Sequence, residues 1–484
     1  MTSNKISFIL DNKLVELDFQ HPESFRPSTT LLNYLRCLPS HKGVKEGCAE
    51  GDCGACTVVI AELNSNNQLE YKALDSCLIF LPMINGKQII TVENLEQNIG
   101  KEIHLHPVQQ LMVENNGSQC GYCTPGIVMS LFALYKNHHQ PEKDVIEDSL
   151  TGNLCRCTGY KPIIEAAKHS CIHNGKDHFS EKQEEIAKQL LNIKKENKSI
   201  ILSHHEQLYL LPPNLKDALE FRKQYPNAVL IGGATDTALR QTKKGEIIPQ
   251  IIDLSQVAEL KTIEFTSKSV IIGSSLPLEK IKSAVEKTYP ALYNILKVFG
   301  SLQIRNIATM GGNIGSASPI GDTLTFLFAC KALVKLQKIT SKREISIEDF
   351  IIGYRKTDIK SDELIVGVEI PFIPENVILK SYKVSKRKDL DISTVSGCFR
   401  LKLSNDKKIN EIIIVIGGMA AQTLRAKQTE NFLSGKIWER KTVEAAMEIL
   451  YNEFNPISDA RSDAEVRKLA CRNLLMKFWV ETNI

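Results

Sequence analysis

The chain has 484 residues, 43% of them hydrophobic and 24% charged, with a formal net charge of +4. Such a composition belongs to ordinary globular domains, three or four at the usual size, and the small, evenly spread positive charge excludes a nucleic-acid-binding surface. No apolar run approaches the eighteen residues of a membrane span and Met1-Thr-Ser-Asn-Lys5 lacks the apolar core of a signal peptide, so a cytoplasmic protein is expected. In that reducing compartment the thirteen cysteines are expected to be metal ligands or buried thiols.

Ile6–Leu10 and Leu14–Phe19 alternate around Asp11-Asn12 as a β-hairpin does, Thr30–Arg36 reads as a short helix, and Thr57–Glu62 and Leu69–Leu74 as strands. The elements predict a compact mixed sheet with one helix. Between helix and strands runs Lys45-Glu-Gly-Cys-Ala-Glu-Gly-Asp-Cys-Gly-Ala-Cys56, in which Cys48, Cys53 and Cys56 are spaced x4 and x2, with Cys77 twenty residues on. That is the plant-type ligand spacing of a [2Fe–2S] cluster. Gly47, Gly51 and Gly54 let the backbone wrap closely and aim its N–H groups at cluster sulfurs. The alternative, a structural zinc knuckle, would pair its cysteines symmetrically and has no use for the glycines.

After Val92, His106-Pro107 opens a helix that Asn116-Gly117 closes with a left-handed cap. Gln119-Cys-Gly-Tyr-Cys-Thr-Pro-Gly126 follows, with Thr124 as cap and Pro125 as first turn of a second helix. A third helix over about 142–150 leads into Thr151-Gly-Asn-Leu-Cys-Arg-Cys-Thr-Gly-Tyr-Lys-Pro162, and Pro162 starts a fourth. Cys120-x2-Cys123 alone suits zinc or a redox dithiol equally. The adjoining Cys155-x-Cys157 favours two thiolates on one iron, and the four thiols predict a second [2Fe–2S] site.

This motif pair, behind a ferredoxin-like loop, resembles the iron–sulfur half of the molybdenum hydroxylases, the xanthine dehydrogenase family. The resemblance implies a β-grasp ferredoxin domain over about residues 1–86 and a four-helix [2Fe–2S] domain over 87–175. It implies metal ligation by Cys48, Cys53, Cys56 and Cys77 and by Cys120, Cys123, Cys155 and Cys157. In the family the helical cluster lies nearest the molybdopterin, which the residue matching Gln119 touches, and the other cluster passes electrons to FAD.

Residues 176–198, rich in Lys, Glu, Gln and Asn, predict a solvated linker or exposed helix. Beyond it, Ala228-Val-Leu-Ile-Gly-Gly-Ala-Thr-Asp236 is a buried strand breaking into a glycine turn and helix, fit for a pyrophosphate but equally found in ligand-free β–α turns. Arg305–Asp322 gathers small residues with Thr309, Asn313, Ser316 and Asp322. Together these loops resemble the family's FAD domain, an α+β fold of the PCMH type over 199–374. By position, Val229, Leu230, Ile231, Gly232, Gly233, Ala234, Thr235 and Asp236, with Thr309, Met310, Gly311, Gly312 and Asn313, are implied to hold the FAD diphosphate and sugars. Phe299 is implied to stack on the flavin, a core position being the competing reading, and Asp322, Ile365 and Lys383 to complete the pocket.

From Pro371 the pattern reads strand, turn, strand, with Ile412–Ile416 running into a glycine pair, and then helices over about 439–451 and 463–479. It resembles the family's α/β-sandwich flavoprotein C-terminal domain, over 375–484. The expected whole is a multidomain α+β protein carrying two [2Fe–2S] clusters and FAD. Its molybdopterin is expected on a large partner subunit, in a heterotetramer or larger assembly, because the chain ends where the animal enzymes continue. The resemblance implies the electron-transfer subunit of a bacterial two-subunit xanthine dehydrogenase, moving electrons from hypoxanthine or xanthine to NAD+, with no catalytic acid or base of its own. The alternatives are the small subunit of an aldehyde or N-heterocycle hydroxylase, or a stand-alone reductase. Cys37, Cys171, Cys330, Cys398 and Cys471 are expected as buried thiols.

Overall fold

The computed structural model describes residues 3–21, 23–172, 177–195, 198–204 and 206–483. The chain forms two compact units, Met1–Ala258 with Gly300–Ala308, and Glu259–Phe299 with Thr309–Ile484. The stretch 199–374 therefore contributes to both.

In the first unit, Lys5–Leu10 and Lys13–Asp18 pair as the expected hairpin, with Asp11 in the left-handed region at its turn. They join a five-stranded mixed sheet in the order Lys13–Asp18, Lys5–Leu10, Gln88–Ile90, Thr57–Leu63, Leu69–Asp75, with Lys5–Leu10 parallel to Gln88–Ile90. Alternation at period two explains the apolar run of Thr57–Leu63. Val58 and Ile60 enter one core with the helix Leu31–Cys37, whereas Val59 and Ala61 face the other way, into a core with the helical segment. A sheet covered on both faces needs no polar alternation. Each such side chain withdrawn from water contributes roughly 1.5–3 kcal/mol.

The helical segment has the four expected helices, Pro107–Glu114, Thr124–Asn137, Lys143–Ser149 and Lys161–Ser170. Asn116 takes the left-handed conformation that ends the first. Thr124 does not cap the second: it is the first helical residue, Cys123 precedes it, and its hydroxyl pairs with that of Ser118 at 2.7 Å.

Of the two expectations for 176–198, a solvated linker or an exposed helix, the described residues follow the helix but bury one face of it, residues 176, 196 and 197 lying outside the described residues. His178–Glu181 and Gln183–Lys195 are helices that bury Phe179, Ile186 and Leu190 in the helical core. The i, i+4 spacing of Ile186 and Leu190 supplies a narrow apolar stripe that the many charges around it mask in the composition. Asp177 anchors this segment, its buried carboxylate taking bonds from Lys136 at 2.8 Å, His106 at 3.2 Å and the Ser180 N–H at 2.8 Å. Burial pushes that carboxyl's pKa up, but the three partners outweigh it and hold the group well below the carboxylate range. The unit is completed by a four-stranded sheet in the order Val229–Ile231, Gln250–Asp253, Gln207–Leu211, Ile200–His204, whose apolar residues share the core of Val58 and Ile60.

The second unit holds an antiparallel sheet in the order Ile263–Phe265, Ser269–Gly273, Leu364–Pro371, Leu333–Gln337, Lys342–Ser346. A second antiparallel sheet, Val377–Val384, Val395–Leu403, Ile409–Gly417 and Leu424–Arg425, packs Phe399, Ile414 and Ile416 with Trp438 and Phe478. Those two aromatic residues come from the segment holding the helices Arg440–Glu453 and Ala464–Thr482. Asp463 caps the last helix through the Glu465 N–H, and Asp459 bonds the buried Arg467 guanidinium at 2.9 Å.

Candidate iron–sulfur and flavin sites

The eight cysteines singled out by spacing meet as four pairs. Cys48 faces Cys53 and Cys56 faces Cys77, each pair close enough for a thiol hydrogen bond. Cys120 likewise faces Cys157, and Cys123 faces Cys155. Among the described residues no three or more His, Cys, Asp or Glu side chains converge on one ion position. A [2Fe–2S] cluster is held by four thiolates shared between two irons, so paired thiols are its donor set and the residues present fit it.

Backbone N–H groups favour a thiolate at Cys48. The N–H groups of Glu50 and Asp52 lie 3.4 and 3.3 Å from Cys48 Sγ. The hydrogen bond with Cys53, helped by these groups and opposed by burial, draws the Cys48 thiol down to about 5, while the same bond pushes Cys53 up. The glycines make the loop possible: Gly51 and Gly54 have φ of +80° and +68°, and a Cβ on Gly47 would sit 2.8 Å from Cys53 Sγ. In the helical segment, the Tyr122 N–H leads in lowering Cys120, with Cys157 second. Burial, then Cys155, push Cys123 up to about 12. Thr158 Oγ1 stands 3.2 Å from Cys155 Sγ, and the Cys155 N–H donates to Tyr160 Oη at 2.7 Å.

The loops of the two sites are stitched together. Leu154 N–H donates to the Cys53 carbonyl at 3.0 Å, and Asn153 Nδ2 to the Gly54 carbonyl at 3.2 Å. Gln303, wholly buried, donates through Nε2 to Ser130 Oγ, the Ser149 carbonyl and Asn153 Oδ1, and the buried Arg305 binds both oxygens of Asp148. None of these supports was read from sequence, although Asn153 lies inside the quoted motif. Gln119 is exposed beside Cys120. Of the other cysteines, Cys171, Cys330, Cys398 and Cys471 are buried as expected, but Cys37 is exposed, because it sits in the last turn of a helix whose buried face is Leu31, Leu32, Tyr34 and Leu35.

The flavin candidates divide between the units. In the first, Val229–Ile231 is a strand, Ala234 takes φ of +58°, and Gly233 packs so closely that a Cβ would lie 1.9 Å from the Ile307 carbonyl. Asp236 is exposed beyond the turn. In the second, Thr309 caps the helix Met310–Ser316 by accepting from the Gly312 N–H at 3.1 Å. Gly311 packs on Ser274, whereas Gly312 is exposed and a Cβ there would meet Thr309 Oγ1 at 3.0 Å. Asp322 and Lys383 form a buried ion pair at 3.1 Å. Ser393 Oγ donates to the other Asp322 oxygen at 2.6 Å, and Lys383 Nζ to the Val298 carbonyl at 2.8 Å. Both carboxylate oxygens are thus engaged within the protein, and Lys383 fixes the carbonyl next to the half-buried Phe299. Ile365 lies buried beside Gly315, whose Cβ would approach its Cδ1 to 3.5 Å.

Residues 91–168 match the family described as [2Fe-2S] binding domain, 203–373 that described as FAD binding domain in molybdopterin dehydrogenase, and 380–482 that described as CO dehydrogenase flavoprotein C-terminal domain. The chain is an iron–sulfur and FAD module of the molybdenum hydroxylase family. Among curated proteins, it is 31% identical to a xanthine dehydrogenase of Blastobotrys adeninivorans over 99% of this chain and 40% of that protein. It is 33% identical to a xanthine dehydrogenase of Emericella nidulans over 93% and 36%, and 29% identical to the human aldehyde oxidase over 94% and 38%. The chain thus spans about two fifths of the length of these molybdenum hydroxylase relatives. Among solved structures, a carbon monoxide dehydrogenase chain from Hydrogenophaga pseudoflava superposes with a TM-score of 0.53 at 22% identity, over 56% of this chain and 94% of that one. A quinoline 2-oxidoreductase chain from Pseudomonas putida 86 gives 0.52, also at 22% identity, over 56% and 95%. The match to these two chains is one of fold.

Proposed function

We propose that this chain is the electron-transfer part of a purine-oxidising molybdenum hydroxylase, a xanthine dehydrogenase. In this reading it receives electrons from a molybdopterin-binding partner subunit and delivers them to NAD+. The observation that carries the reading is the hydrogen-bonded contact between two cysteine loops, each presenting two thiol pairs. Cys120, Cys123, Cys155 and Cys157 hold the cluster that takes electrons from the partner, which docks where Gln119, Cys120 and Cys157 are exposed. Cys48, Cys53, Cys56 and Cys77 hold the cluster that passes them on. FAD, when bound, takes electrons singly from the clusters and releases them in pairs as hydride. The Thr309–Asn313 turn offers FAD exposed backbone at Gly312, Lys383 and Asp322 hold the backbone beside Phe299, and Val229–Asp236 are assigned to the same cofactor. No side chain here acts as catalytic acid or base, and purine specificity belongs to the partner.

Support for xanthine over other substrates comes from the names of the curated relatives, among which an aldehyde oxidase also stands. No helix among the described residues is long and apolar enough to cross a membrane, in keeping with a cytoplasmic assignment. The test is affinity purification of the full chain from its native cells. Recovery of a molybdopterin-containing subunit, with xanthine-dependent NAD+ reduction by the complex, is the expected result. A complex that oxidises an aldehyde or another N-heterocycle instead would move the assignment within the family. A chain that oxidises NADH with no partner recovered would make it a reductase.

A further inference from the structure

Lys45 belongs to the Cys48 loop by sequence, but its side chain serves the other cysteine site. Lys45 Nζ donates to the Gly121 carbonyl at 3.0 Å and stands 5.2 Å from the ring centre of Tyr122. The N–H of that same Gly121–Tyr122 peptide faces Cys120. One amide therefore has an ammonium on its oxygen and a ligand cysteine on its N–H side. Gly121, with φ of +80°, turns the peptide into this orientation. Tyr122 Oη donates to the Glu46 carbonyl, and the Lys45 N–H to the Ala55 carbonyl at 3.1 Å, so both ends of the bridge are anchored.

We propose that Lys45 is a positioning residue that sets the reduction potential of the neighbouring [2Fe–2S] site, through the Gly121–Tyr122 peptide to Cys120. The inference rests on the assignment of Cys120, Cys123, Cys155 and Cys157 as cluster ligands. A cation on the carbonyl oxygen polarises the amide and strengthens its N–H as a donor, since linked hydrogen bonds reinforce one another. Hydrogen bonds to ligand sulfur and nearby charge are the groups a protein uses to adjust such potentials. Taking up one electron makes the site more negative by one charge, so a stronger donor and a half-buried ammonium both favour the reduced form. Lys45 thus raises the potential of the Cys120 site relative to what its own loop would give. Because the lysine comes from the Cys48 loop, that setting exists only when the two loops are in contact.

The test is a redox titration of the whole, cluster-loaded chain followed by electron paramagnetic resonance, with Cys155→Ser identifying which signal belongs to the helical segment. Lys45→Met is expected to lower the equilibrium constant for electron uptake at that site about tenfold, or about 59 mV for one electron. The other site should stay within error, and Lys45→Arg should keep the wild-type value. An unshifted helical signal in fully loaded Lys45→Met, or a shift confined to the Cys48 site, overturns the proposal. Should Lys45→Met lose iron, Lys45→Gln is titrated instead. Iron loss in both, with retention in Lys45→Arg, would make the lysine purely structural. A wild-type chain with about two irons and no second signal is a different failure, that of the ligand assignment itself.

Discussion

The backbone N–H of Leu154 donates to the carbonyl of Cys53 across 3.0 Å, placing one backbone hydrogen bond between the residue next to Cys155 and a cysteine of the other site. Around it the backbones touch: a Cβ on Gly126 would lie 2.0 Å from the Gly54 carbonyl oxygen, and one on Gly54 would lie 2.2 Å from that of Gly152. Gly126→Ala must force these segments apart. It should lower stability by about 1–3 kcal/mol, the usual cost of overpacking, and slow electron transfer between the sites. Urea midpoints and freeze-quench electron paramagnetic resonance read the two effects, and an unchanged midpoint would show that the segments are not held in contact.

Cys155→Ser should remove one cluster and leave the other, so iron falls from about four to about two atoms per chain. Replacement of Cys37, Cys171, Cys330, Cys398 and Cys471 by Ala or Ser should leave it at about four. Iron and sulfide analysis of the purified variants decides both, and iron loss in the fivefold variant would mean a ligand was misassigned.

Gly312 is exposed, and a Cβ there presses at 3.0 Å on the Thr309 Oγ1 that caps its helix. Gly312→Leu should cost the apoprotein no more than that cap, about 1 kcal/mol, and keep its iron while FAD content drops at least tenfold. Full flavin occupancy in this variant would remove the Thr309–Asn313 turn from the FAD site.

Asp322 is expected to act through Lys383. Asp322→Ala leaves a buried ammonium on the Val298 carbonyl without its ion-pair partner, and losing one partner of a buried pair costs about 3–5 kcal/mol. Calorimetry should show the second unit melting early, and Asp322→Leu combined with Lys383→Met should recover much of the loss. An Asp322→Ala chain of wild-type stability that has lost FAD would instead assign the carboxylate directly to the cofactor.

Asp177 makes the helical segment acid-sensitive. Its folded pKa lies below the unfolded value, so its contribution is complete above about pH 4 and disappears as pH falls through the folded value. Asp177→Asn should cost about 3–5 kcal/mol at pH 7, and the gap to wild type should narrow steadily below pH 4. Urea denaturation of both proteins across that range measures it, and a gap independent of pH would mean the carboxylate charge is irrelevant.

Much of the architecture was legible in the sequence because local rules carry it. Cysteine spacing singled out all eight of the cysteines that meet in pairs, but not the pairs themselves, since a loop of the form Cys48-x4-Cys53-x2-Cys56 brings its own cysteines together whatever surrounds it. The hairpin at Asp11 and the four helices, three of them with proline starts, and the Asn116 stop followed from turn and cap chemistry, which acts over three or four residues. The helices from 178 to 195 were harder to see, because two buried residues four apart are a weak signal beneath a dozen polar ones.

Tertiary structure alone decided which thiol faces which, and what stands behind them. Lys45 on the Gly121 carbonyl is 76 residues away in sequence, Gln303 on Asn153 is 150, and Arg305 on Asp148 is 157. Partners at such separations leave no periodicity, because a hydrogen bond constrains only the two groups that meet. Asp322 shows the same division. Its place in a glycine-rich motif marked it as polar and important, while the buried lysine that occupies its oxygen comes from a strand of the next sheet, and only the folded chain brings the two charges together.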